Sequence, residues 1–369
     1  MTPSSLIHLK NVVVRRSGTK VLDISDFGVQ TGRILVLIGP NGAGKTTLLL
    51  TMAGLLKPTS GTIYYKGMPV ISGSDRARMR RQVSVVFQEP LLLNTSVYKN
   101  VSLGLKFRKA SRKEMDRDVR SALEYFGISE LAERSAKTLS SGEAKRVCLA
   151  RAFAIKPEII LMDEAFNSLD PPSKETLIGD LRDILEKTKI TAVLILHDRE
   201  ETLRLAQDVI VMVDGRVIQS GTAARIYNRP ETHFVAQFVG TETILEGIIE
   251  RNDNDTLKIN VSGKIIEAMG SLLTGQKVYC CLRPENIVVS PGKINGIDWK
   301  NVFEAKVIKM SRQSCSYKLS MDCGFPIASY LPVHLCEDLN IQEGSNVYVA
   351  FKRTSVHVIE RSLNQRIHD

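Results

Sequence analysis

"ILVLIGPNGAGKTTLLLTMAGLL", residues 34–56, decides the fold. Its first five residues are an unbroken apolar run, as expected of a strand buried on both faces. Gly39-Pro40-Asn41-Gly42-Ala43-Gly44-Lys45-Thr46 then fits G-x-x-x-x-G-K-[ST], and Thr47 leads into a helical stretch. In this strand–loop–helix setting the glycines let the backbone wrap close to phosphate oxygens, with N–H groups pointing inward. Lys45 brings positive charge to the β- and γ-phosphates, and the Thr46 hydroxyl is placed to bind Mg2+. The stretch predicts an α/β nucleotide-binding fold.

Two further apolar runs end in reactive residues. "EIILMDEAFNSLD" (158–170) predicts a strand over Ile159–Met162 followed by Asp163 and Glu164. At the carboxyl end of such a strand Asp163 can meet Mg2+ on the phosphate loop, while Glu164 can orient or deprotonate the attacking water. "AVLIL" (192–196) ends in His197-Asp198. A lone histidine is more often structural, but three strand ends carrying Lys/Thr, Asp/Glu and His point to function for His197. A second anion-binding helix start lies in "KTLSSGEAKRVCLARA" (137–152), where Ser140-Ser141-Gly142 opens a helix expected from about Glu143 to Ile155. One nucleotide needs only one such start.

Composition bounds the rest. A chain of 369 residues predicts two or three domains, and 43% apolar with 24% charged residues is ordinary for a soluble protein. No apolar run approaches the roughly 20 residues of a membrane-spanning helix, and "MTPSSLIHLKNVVV" lacks the pattern of a signal peptide. Six cysteines without a CxxC predict reduced thiols in structural places. The net charge of +10 admits nucleic acid as a partner. Nothing interleaves aromatics with the basic residues, so "RARMRR" (76–81) and "KFRKASRKEMDR" (106–117) are read as solvated helix faces and no nucleic acid is expected.

Taken together, the phosphate loop, "LSSGE" followed by "AKRVCLARA", "ILMDEAF" and "LILHDREE" resemble the ATPase subunit of an ATP-binding-cassette (ABC) transporter over about residues 6–239. The resemblance implies an α/β P-loop ATPase domain with a helical signature subdomain. It makes Gln88 in "VVFQEP" the Q-loop residue, ligating Mg2+ and sensing a partner, and "NSLD" with Asp170 the D-loop. It implies ATP and Mg2+ as ligands, and a homodimer whose two cassettes pack head to tail. The signature residues Ser140, Ser141, Gly142 and Glu143 of one copy would then touch the ATP held at Lys45 of the other, which answers why the chain has two anion-binding helix starts. Ser141 stands where the commonest signature has glycine. Arg15 and Arg16 stand where many relatives stack an aromatic on adenine, and Arg16 could offer its guanidinium plane or lie solvated.

Beyond residue 240 the pattern changes to short strands with turns, predicting an all-β, OB-like domain over 241–369. "GQKVYCCLRPENIVV" (275–289) and "GSNVYVAFKRTSVHV" (344–358) align without gaps at an offset of 69, so two repeated units are expected at about 241–292 and 297–361. The layout resembles the TOBE domain of importer-type ABC ATPases, with "LRPENI" as its familiar element. That implies separate transmembrane permease subunits, a solute-binding protein, and a place on the cytoplasmic face of the inner membrane. The C-terminal end is most similar to ATPases of tungstate and molybdate importers. That resemblance implies a regulatory oxyanion on this domain, for which Ser311, Arg312 and Lys352 are available. Importers of sulfate, ferric ion, polyamine or sugar, and soluble non-transport ABC ATPases, are the alternatives.

Overall fold

An antiparallel hairpin opens the fold: β1 (Ser5–Arg16) and β2 (Thr19–Gln30) each alternate buried and exposed side chains. This is seen in a computed structural model that describes residues 5–167, 169–294, 296 and 299–361. β3 (Ile34–Ile38) is buried at every position and leads through the phosphate loop into α1 (Lys45–Met52). β4 (Ser60–Tyr65) and β5 (Met68–Pro69) complete the antiparallel layer in the order β2-β1-β4-β5. Then come α2 (Gly73–Arg80), β6 (Val83–Val86), and three helices, α3 (Val97–Phe107), α4 (Arg112–Tyr125) and α5 (Ser141–Ala154). β7 (Ile159–Asp163), α6 (Pro171–Thr188), β8 (Thr191–Ile195), α7 (Arg199–Leu205), β9 (Asp208–Val213) and β10 (Arg216–Thr222) finish this unit.

The second sheet of this unit runs β10-β9-β3-β8-β7-β6. All but β10 are parallel, so the carboxyl ends of β3, β8, β7 and β6 share one edge. Leu37, Leu48, Met52 and Ile195 join Leu9 and Leu22 of the antiparallel layer in a single core. Two expected boundaries move. α5 starts two residues early, because the Ser140 hydroxyl caps it. The basic stretch 106–117 is not one helix face: α3 ends at Phe107, and Ser111 caps α4 through a capping box with Glu114.

The chain divides at residues 223 and 224. The division falls after the first residue of α8 (Ala223–Asn228); the second unit continues with α9 (His233–Phe238) and is otherwise β-rich. Its first repeat supplies β11 (Thr243–Asp253), β12 (Thr256–Val261), β13 (Lys264–Met269), β14 (Lys277–Leu282) and β15 (Val288–Ser290). Its second supplies β16 (Asn301–Gln313), β17 (Ser316–Asp322), β18 (Pro326–Pro332), α10 (Val333–Asp338), β19 (Asn346–Phe351) and β20 (His357–Glu360). One sheet runs β13-β12-β11-β14-β20 and the other β18-β17-β16-β19-β15. The orders are the same, and each sheet takes its last strand from the other repeat. The registers match too: Val288 pairs with Ala350, and His357, the equivalent of Val288, pairs with Cys281, the equivalent of Ala350. Short turns at Pro284–Asn286 and Arg353–Ser355 interrupt each repeat after its fourth strand and send the chain onward. Side chains of both sheets, among them Leu257, Ile259, Leu319 and Phe351, share one core.

Candidate nucleotide site

The phosphate loop is held from behind by main chain. A Cβ on Gly39 (φ 150°) would lie 2.2 Å from the Met212 carbonyl oxygen, and one on Gly44 (φ 91°) would lie 2.8 Å from that of Val21. Neither position has room for a side chain. Gly215 N–H donates to the Ala43 carbonyl at 3.1 Å, bracing the loop against the β9–β10 turn. Lys45, in the first turn of α1, is 6% exposed, and its Nζ donates to the carbonyls of Gly39 at 2.8 Å and Pro40 at 2.9 Å. Burial pulls its ammonium below the usual lysine range, opposed by the charges of Glu164 and Asp163. Asn41, Gly42 and Thr46 are exposed at the rim, with Thr47 part-buried behind them.

Asp163 ends β7, half-buried, and accepts a hydrogen bond from the Thr46 side chain. Burial pushes its carboxyl above the usual range; the Glu164 charge adds to this, while the Thr46 hydrogen bond, Lys45 and His197 oppose it. Glu164 follows with φ 49°, a left-handed conformation rare outside glycine. Its N–H donates to the Ile195 carbonyl of β8 at 3.3 Å, tying the two strand ends together. Both carboxylate oxygens are engaged: Oε1 lies 2.5 Å from His197 Nε2, and Oε2 accepts from Asn167 Nδ2 at 2.6 Å. In the sequence Asn167 is simply the first residue of "NSLD", and nothing but a three-residue spacing hints at its contact with Glu164. Ser168 of that stretch lies outside the described residues. Asp170 caps α6, accepting from the Ser173 N–H at 3.1 Å.

The structure gathers the residues after β3, β7 and β8 at one edge. Gln88 follows β6 on the same edge with its side chain exposed, and its carbonyl accepts from Lys145 of α5. Arg16 ends β1, exposed, at the β1–β2 turn, and Arg15 donates to Gly18 within that turn at 2.9 Å. The signature residues start a different element, α5. Ser140 is its N-cap, Ser141 is its first residue and exposed, and a Cβ on Gly142 would meet only Leu169, at 3.8 Å. In the second unit, Ser311 and Arg312 lie near one end of β16, while Lys352 follows Phe351, which pairs with Asn301 at the other end. Roughly 30 Å of strand, at about 3.3 Å per residue, separates them, so these three do not form one small-anion site. Lys352 Nζ instead lies over the Trp299 ring, 5.6 Å from its centre.

This edge can hold a polyphosphate on the loop and Lys45. The oxygen donors Asp163 and Thr46 suit a hard cation such as Mg2+, and Glu164 offers a fixed carboxylate to a water. Known proteins place the arrangement. Residues 22–167 match the family described as ABC transporter. Among curated proteins, the chain is 34% identical over 341 residues to "Molybdate/tungstate import ATP-binding protein WtpC" of Pyrococcus horikoshii, covering 92% of this chain and 95% of that one. It is 37% identical over 284 residues to the protein of the same name from Thermococcus kodakarensis, covering 76% and 82%. Among solved structures, cbiO1 from Clostridium perfringens, part of the ABC transporter complex cbiONQ, matches at TM-score 0.58 and 29% identity, over 61% of this chain and 91% of that one. The chain belongs to the ABC transporter family, as one of its ATP-hydrolysing, ATP-binding subunits.

Proposed function

We propose that two copies of this chain bind two ATP molecules between them and use their hydrolysis to drive import of tungstate or molybdate through separate membrane subunits. The observation that carries the reading is the division of the site. Phosphate loop, acids and histidine share one sheet edge, while the second anion-binding helix start, α5, opens elsewhere in the same chain. A partner copy can supply what each edge lacks.

Lys45 exchanges its bonds to Gly39 and Pro40 for the β- and γ-phosphates, with the N–H groups of residues 41–47 around them. Thr46, Asp163 and Gln88 would hold Mg2+, which when bound would neutralise charge on the phosphates. Arg16 packs on the base. Glu164, fixed by His197 and Asn167, orients a water in line with the γ-phosphorus and takes its proton as the oxygen–phosphorus bond forms and the bond to ADP breaks. Ser140, Ser141, Gly142 and Glu143 of the partner face the γ-phosphate, and Asp170 lies at the same junction. Loss of the γ-phosphate removes what both copies share and lets them part.

Among the described residues no helix is long and apolar enough to cross a membrane. The permease is therefore assigned to other polypeptides, with a solute-binding protein, and this chain to the cytoplasmic face. Phe87, Leu91 and Leu93, 41%, 61% and 51% exposed beside Gln88, are the apolar surface for that contact. The relatives named for molybdate and tungstate favour those cargoes over sulfate, ferric ion, polyamine or sugar. A regulatory oxyanion on the second unit is part of this reading.

Glu164→Gln in saturating Mg-ATP should run as a dimer by light scattering; a monomer there counts against the shared site. Calorimetry of the full chain with tungstate, molybdate and sulfate tests the regulatory oxyanion. Tight binding of the first two alone supports it, and absence of heat with all three removes it.

A further inference from the structure

The start of α5 carries a charge that a phosphate would not welcome. Glu143 closes a capping box: its Oε2 accepts from Ser140 N–H at 2.7 Å while its own N–H donates to Ser140 Oγ at 3.3 Å. These bonds from Ser140, with Arg134 beside it, hold its carboxyl below the usual range, so it is ionised at neutral pH. A glutamine would fill the same box without charge. As it stands, a full negative charge sits in the first turn of the helix whose N–H groups are meant for an anion.

Arg134 answers that charge. Its Nη1 donates to Glu143 Oε1 at 2.9 Å, its Nη2 to the Thr138 carbonyl at 2.7 Å and its Nε to Thr138 Oγ1 at 3.2 Å. One planar fork therefore neutralises the carboxylate and pins the short helical turn Ala136–Thr138 that delivers the chain to Ser140. The arginine is also tied at its main chain, where its carbonyl accepts from Val97 N–H at the start of α3 at 3.0 Å. Ser135 next to it bridges Ser96. Its guanidinium is thus aimed from a fixed base.

We propose that Arg134 is a positioning residue for the shared ATP: it cancels the Glu143 carboxylate and fixes the approach to α5, so that the helix start can accept the γ-phosphate held by a partner copy. The inference rests on the shared-site reading above. It assigns the residue no contact with ATP. Its effect runs through Glu143 and the turn, and the two parts separate by mutation. Arg134→Lys keeps the charge and loses the fork; Arg134→Gln keeps a donor and loses the charge.

The test uses the full chain in the Glu164→Gln background, reading by light scattering the ATP concentration at half-maximal dimer. Dimer formation by this parent comes first, and its failure would remove the shared site itself. With the parent dimeric, Arg134→Gln should raise that concentration about threefold to fivefold, the scale of one exposed charge left uncancelled beside another. The shift should shrink as salt rises. Adding Glu143→Gln to Arg134→Gln should recover most of the loss, and Arg134→Lys should lose less than Arg134→Gln. A fold that merely needed the arginine would give no rescue by Glu143→Gln, and that result, or an unchanged midpoint for Arg134→Gln, overturns the proposal. Should Arg134→Gln fail to fold, Arg134→Lys and its double with Glu143→Gln decide by the same rescue.

Discussion

Glu164 is the most constrained residue of the site. Its φ of 49° costs a non-glycine residue about 1–3 kcal/mol, and the conformation is held by the Ile195 carbonyl, His197 and Asn167. Such strain is kept where it aims a carboxylate. Replacing His197 with alanine frees Oε1 and lets the carboxylate turn, without touching the phosphate loop. The expected result is a fall in kcat of about 10²–10³-fold, in the range of a lost general-base arrangement, with KM for ATP changed little. Steady-state ATPase rates at several ATP concentrations check this, and an equal fall in nucleotide affinity would assign His197 to binding instead. The meeting of Asp163, Glu164 and His197 was legible because each follows an apolar run of strand length and parallel strands bring such ends to one edge. Lys45 was legible from the glycine-rich loop that follows β3. Asn167 and Arg134 were not. Their contacts depend on turns of three and nine residues whose path no hydrophobic period records.

At the scale of elements, the apolar runs at 34–38, 159–162 and 192–196 became β3, β7 and β8 with at most one residue of change at either end. Helix starts were less legible, since a capping serine moves a boundary without altering the apolar pattern. In the second unit the repeat was readable, but its pairing was not. Equivalent strands present equivalent edges, so sequence similarity cannot say whether β20 lies beside β14 or beside its own neighbour β19. The exchange has a measurable outcome. A protease site placed in the connection after Ser290, before Asn301, should cut the chain and leave the two pieces joined. Each piece keeps a strand in the other's sheet, and both share one apolar core. Co-elution of the fragments in native buffer, and separation only in denaturant, is expected; separation in native buffer would contradict the exchanged pairing.

The whole molecule combines two ways of needing a partner. In the first unit, the phosphate edge and the α5 start belong to one chain, and each is proposed to complete its work against a second copy. In the second unit the completion is already internal, since the two repeats supply each other's last strand. A single repeat cut free, residues 241–292 for instance, would have a sheet lacking its closing strand and a closing strand lacking its sheet. Two such copies would satisfy both needs at once, because the registers at Val288 and His357 are interchangeable under the repeat. The covalent link between the repeats therefore sets the stoichiometry of this double sheet at one chain rather than two, with every strand where a pair of separate repeats would put it.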